Sequence, residues 1–133
     1  MRVRFAPAFV LALAGLLTVS CGGISSPSQN QQETFSGTLQ VGGGARFPVN
    51  IANNGEFSVK ITALSPTPTA FVGTLFALGS NCEGSPIQVN NFSTLNSPAL
   101  VGAIFQKGAY CVAIFDVGAL AVAQNFSLVV SHP

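Results

Sequence analysis

Tryptophan is missing from this chain, and 133 residues hold a single tyrosine, a single methionine and a single histidine. Charge is scarce too: Asp, Glu, Lys and Arg make up 7% of the sequence, against about a quarter of an average soluble domain. Each shortage removes a class of function. With no basic patch to hold a row of phosphates, nucleic acid is a poor partner. The lone histidine, His132, is the penultimate residue, where a frayed terminus is expected rather than a poised base. No Gly-x-Ser-x-Gly, no paired acids at a motif spacing and no phosphate-binding loop occur; Gly42-Gly43-Gly44 lacks the lysine and the helix that such a loop needs. The chain is therefore expected not to be an enzyme and to need no cofactor.

The charges that do occur are unevenly placed. Arg2 and Arg4 stand at the head of an uncharged apolar run from Phe5 to Val19, which is shorter than the roughly 20 residues of a spanning helix. This is a secretory layout, with a signal helix expected over residues 1–20. Leu17-Thr18-Val19-Ser20-Cys21-Gly22-Gly23 resembles a bacterial lipobox, with Thr18 where leucine is more usual. The resemblance implies that Cys21 is lipidated, becomes the mature N-terminus and anchors the protein to a membrane. The other reading is an ordinary signal peptide with a chance cysteine. Gly22, in place of an aspartate after that cysteine, leans towards the outer membrane of a Gram-negative cell. From Cys21 on, Arg46, Lys60 and Lys107 stand against Glu33, Glu56, Glu83 and Asp116, a net charge of −1. Gly22–Glu33 has small polar residues and no apolar period, and reads as a flexible tether. The expected organisation is thus a signal peptide at 1–20, a lipidated cysteine and linker at 21–33, and one domain at 34–133.

From Thr34 the period is two. Phe35, Gly37, Leu39 and Val41 alternate with polar residues, as do Phe47, Val49 and Ile51, and then Phe57, Val59 and Ile61. Pro48 cannot donate to a ladder, so its strand belongs at an edge or carries a bulge. Asn53-Asn54-Gly55 supplies turn chemistry and predicts a hairpin between the second and third strands. Leu64–Thr69, with Pro66 and Pro68, is a rigid connection, and Ala70–Leu78 is apolar enough for a strand covered on both faces. Ile87–Leu95 is a weaker strand, broken at Asn90-Asn91. Ala99–Phe105 is turned by Lys107-Gly108 into Lys107–Gly118, a central strand with Tyr110, Val112 and Ile114 on one face and Cys111, Ala113 and Phe115 on the other. Phe126, Leu128 and Val130 mark the last strand. No segment carries a capped 3.6-residue period. The expected fold is all-β: a single jelly-roll-like sandwich of about eight short antiparallel strands.

With Cys21 assigned to lipid, Cys82 and Cys111 form an even pair in an oxidising compartment, and a structural disulfide is expected between them. A redox thiol or a metal ligand is the alternative, but there is no Cys-x-x-Cys, and two thiols with one histidine make a poor metal site. Phe47-x-Val49, Gly55 before Phe57-x-Val59-x-Ile61, Gly108-Ala109-Tyr110-x-Val112 and Phe126-x-Leu128-x-Val130 together resemble the bacterial pre-peptidase C-terminal domain over about Phe35–Ser131. That resemblance implies a compact β-sandwich, usually an accessory module of exported proteins. The cysteine pair is a departure from the family pattern, and the acids that bind calcium in some members have no counterpart. Asp116 is the one acid to watch as a metal ligand, with a turn-capping role as the alternative.

The function expected is a non-catalytic, lipid-anchored module of the cell envelope with a structural or interaction role. A carbohydrate or small-ligand binding module is the alternative. It turns on Phe71, Phe76, Phe92, Phe105 and Phe115, since any two of these rings exposed together would favour it.

Overall fold

The computed structural model describes residues 29–133. The signal segment, the lipidation candidate Cys21 and most of the tether lie outside the described residues. Within them there is no α-helix, and eight antiparallel strands form two four-stranded sheets. In chain order these are β1 (Gln31–Leu39), β2 (Gly44–Ile51), β3 (Gly55–Ser65), β4 (Val72–Leu78), β5 (Pro86–Ser93), β6 (Pro98–Ile104), β7 (Gly108–Phe115) and β8 (Gln124–His132). One sheet has the order β1-β8-β3-β6 and the other β2-β7-β4-β5. The chain crosses between sheets at every connection except β4 to β5, and the result is a jelly roll.

One local expectation fails. β2 and β3 do not form a hairpin: β2 pairs with β7 in one sheet, while β3 pairs with β6 and β8 in the other. Asn53 and Asn54 do not adopt the positive φ that a tight hairpin turn requires, and the segment instead arches across the sandwich. Likewise Lys107-Gly108 carries the chain from β6 in one sheet to β7 in the other. A strand with one apolar face satisfies its alternation either beside its neighbour or facing it across the core.

Other expectations hold. Pro48 lies in an edge strand, opposite Cys111, where its missing donor costs no ladder bond. β7 is central, and its Tyr110, Val112 and Ile114 are buried in the core. The sandwich interior contains a column of rings: Phe57 lies 4.3 Å from Phe76, and Phe76 lies 5.3 Å from Tyr110. The Tyr110 hydroxyl donates to the Gln106 carbonyl, and burial raises its pKa.

The two ends of the domain are better ordered than the sequence suggests. β1 begins at Gln31, so the last residues assigned to the tether belong to the sheet, with Glu33 opposite Val130 and Gln31 opposite His132. His132 is not frayed. It continues the inward alternation of Phe126, Leu128 and Val130, is 1% exposed, and places Nε2 2.8 Å from Glu33 Oε1. The pair closes the open end of the core where the apolar residues run out.

Candidate functional site

The outer faces of the two sheets differ. On β1 and β8 most outward positions are small and polar, and β3 adds Glu56, Ser58, Lys60 and Thr62. Ser36 Oγ donates to Ser127 Oγ at 3.2 Å, and Thr38 Oγ1 donates to Asn125 Oδ1 at 2.8 Å. On the other sheet the outward residues of β7 and β4 are Cys111, Ala113 and Phe115 beside Ala77, Leu75 and Gly73. Two structures cover that apolar surface. At one end the loop after β4 folds back, held by the Cys82–Cys111 disulfide with Cα atoms 5.1 Å apart. The bridge spans 29 residues, and in the chain-entropy picture such a loop contributes about 3.5 kcal/mol. At the other end the Phe115 ring lies flat on Gly73, where a Cβ would stand 2.2 Å from the ring. β4 is thus covered on both faces, as its composition implies.

Phe115 is the floor of an open groove of about 720 Å³ at that end of the sheet. One wall is the pair Phe71 and Phe92, whose ring centroids are 5.9 Å apart and which are 40% and 75% exposed. The opposite wall is the segment Val117–Ala119, and Asn91 sits at the lip. The sequence places Phe92 there by a specific device. Thr74 pairs with Asn90 and Val72 with Ser93, so β5 spends three steps where β4 spends two. The extra residue is a β-bulge, a feature that re-aims side chains at edges and sites. Asn90 holds it: Oδ1 accepts the Phe92 N–H at 2.9 Å, and Nδ2 donates to the Ala99 carbonyl at 2.8 Å. Ser93 is drawn inward to a buried 2.7 Å hydroxyl contact with Thr74, which leaves Phe92 pointing to solvent.

Asp116 shapes the opposite wall. Its Oδ1 accepts the N–H groups of Gly118, Ala119 and Leu120 at 2.8, 2.9 and 3.1 Å, and Oδ2 accepts the Gly42 N–H at 2.8 Å. The Gly42 N–H and the three loop N–H groups hold its carboxyl below the usual aspartate range. Asp116 is therefore a turn former that ties the Val117–Ala119 loop to the turn between β1 and β2. Among the described residues no three His, Cys, Asp or Glu side chains come together as a metal site, so Glu33, Glu56, Glu83 and Asp116 stay dispersed. Glu33 and His132 meet, while the neighbouring Ser131 hydroxyl takes a hydrogen bond from the Asn30 amide.

Of the five phenylalanines in question, Phe76 is core, Phe105 is exposed at the far end of β6, and Phe71, Phe92 and Phe115 converge. Alternation alone misassigns Phe92, because a bulge shifts its phase. The break at Asn90-Asn91 was the trace it left in the sequence.

No protein-family model matches the chain, and no curated protein matches it. Among solved structures it is similar to the Yersinia pseudotuberculosis-derived mitogen, with a TM-score of 0.57 and 18% identity over 78% of this chain and 87% of that one. It is also similar to Aeromonas hydrophila PliG, a periplasmic lysozyme inhibitor of g-type lysozyme, with a TM-score of 0.57 and 16% identity over 82% of this chain and 92% of that one. At these identities the likeness establishes the fold: an eight-stranded antiparallel sandwich.

Proposed function

We propose that this chain is a non-catalytic binding module of the cell envelope, anchored through a lipidated Cys21 at the outer membrane, that holds a protein partner in the Phe71–Phe92 groove. The observation that carries the reading is the exposed aromatic pair on a bulged edge strand. A Phe ring 75% exposed is an energetic liability in a free monomer, and desolvating such a ring in a partner's pocket contributes on the order of 2–4 kcal/mol. The chemistry of the lining favours a protein. Asn91 is the one polar side chain there, whereas a sugar presents hydroxyls that each need a hydrogen-bond partner when buried. The disulfide fits an oxidising compartment outside the cytoplasm. The PliG neighbour, alike in fold, is named as an inhibitor of a lysozyme, which is compatible with a protein partner here.

A photo-crosslinking residue in place of Phe92, in intact cells, tests this directly. A discrete adduct is expected at position 92 and not at position 38, on the polar outer face of the other sheet. No adduct, or the same adduct from both positions, overturns the reading. Glycan binding remains the second reading, favoured by the same ring pair. Retention on a polysaccharide column that is lost in Phe71→Ala/Phe92→Ala would move the assignment to it. The anchoring fails if the mass of the mature protein shows an unmodified Cys21.

A further inference from the structure

The jelly roll leaves four edge strands, β1, β6, β2 and β5, and β5 has the longest run free of charge, proline and glycine. β2 carries Arg46 and Pro48 at its middle. β1 carries Glu33, locked to His132. β6 opens on Pro98 and is interrupted by Gly102, whose missing side chain is filled by Phe57. Charged residues, prolines and irregularities are how sheets keep their edges from pairing. β5 has Pro86 at its first position and the bulge near its last. Between them Ile87-Gln88-Val89-Asn90-Asn91 contains no charge, no proline and no glycine. Ile87 and Val89 are 43% and 46% exposed, on the same side of the strand.

We infer that this chain forms a homodimer by antiparallel pairing of β5 with β5 of a second copy, joining two four-stranded sheets into one of eight. A second copy fits for three reasons. An uncharged edge meets itself across a two-fold axis without like charges in opposition, which is what an isologous contact requires. With the axis at Val89, that residue faces its own copy, and Ile87 faces Asn91 of the partner subunit. The bulge and Pro86 bound the pairing to five residues, so the ladder ends in a finite dimer and not a fibre. Five paired residues and the exposed parts of Ile87 and Val89 bury roughly 400 Å² per copy, below the ~800 Å² of a standard interface. The dimer is accordingly a weak one. The pairing reaches Asn91 at the lip of the end groove but not Phe71 or Phe115, and it rests on the backbone edge of β5 and not on the partner proposed above.

Sedimentation analysis of the mature protein across about 1 μM to 1 mM tests it. The expected result is a concentration-dependent shift from monomer to dimer. Val89→Lys, which sets two ammonium groups against each other at the axis, should weaken association at least tenfold. Thr38→Lys, on the outer face of the other sheet, should leave it unchanged, and both variants should keep the wild-type circular dichroism spectrum. A monomer throughout the range overturns the inference, and so does a dimer that survives Val89→Lys.

Discussion

Gly73→Ala puts the groove floor to a quantitative test. A Cβ at residue 73 would stand 2.2, 2.3 and 2.6 Å from Cε2, Cζ and Cδ2 of Phe115, well inside contact distance. Gly73 is not among the glycines with positive φ, so the backbone itself accepts alanine. The whole penalty must come from the ring. Either the ring is compressed, an overpacking cost of about 1–3 kcal/mol, or it swings away and exposes its buried half, at about 2 kcal/mol. Against a domain stability of about 5–15 kcal/mol that is a measurable loss. Urea unfolding with the disulfide intact reads it, and the absence of tryptophan makes Tyr110, 2% exposed in the core, a single clean fluorophore. The decisive comparison is Gly73→Ala in a Phe115→Ala background. There the obstacle is gone, and alanine should stabilise the strand by about 0.5–1 kcal/mol. The substitution should change sign between the two backgrounds, a coupling of about 2–3 kcal/mol. If it costs the same in both, or nothing in the wild type, Phe115 does not rest on Gly73 and the groove has a different floor.

Two further outcomes follow from the termini and the turn. The carboxyl of Asp116 has a folded pKa below its unfolded value, first through the Gly42 N–H. Its contribution is therefore complete above the unfolded pKa of about 3.9 and is lost as pH falls through the lower folded value. The measurement is the difference between wild type and Asp116→Asn in urea midpoint, which isolates this one carboxyl. The difference should be constant from about pH 7 to 5 and should shrink towards pH 2; a difference independent of pH refutes the capping role. His132→Ala removes a buried ring and leaves Glu33 unpaired, so a loss of about 2–3 kcal/mol and faster amide exchange at Gln31 are expected, whereas a frayed terminus would lose nothing.

How far the sequence went is clear from particular residues. Eight strands were legible because a half-buried strand writes its period of two into the chain, and the Cys82–Cys111 pair followed from parity. The buried position of His132 was legible in principle, since stepping by two from Val130 reaches it. The terminal position outweighed that step because a contact with Glu33, 99 residues away, leaves no local trace. The partition of strands between sheets was hidden for a different reason. Alternation fixes which face of β2 is apolar but not whether β3 lies beside it or across from it, and Asn53-Asn54-Gly55 serves an arch as well as a hairpin. The groove was the least legible part. It brings together a residue before β4, one at a bulge in β5 and one at the end of β7, and only their exposure identifies them as a set.

The scarcity of charge links these findings. A chain with seven charged side chains after Cys21 must be solvated mainly by uncharged polar groups, and on one sheet these join Glu56 and Lys60. Ser36 with Ser127 and Thr38 with Asn125 form a hydroxyl and amide ladder, and a ladder that satisfies itself offers little to a partner. The other sheet has no such ladder. Its outer face is shielded by a disulfide-held loop at one end and by Phe115 at the other, and this shield stops short of β5 and of the Phe71–Phe92 pair. What the fold leaves uncovered is therefore confined to one edge and one end of one sheet, next to a bulge that actively turns Phe92 outward. The outward turn of Phe92 is therefore the feature on which the proposed binding role rests.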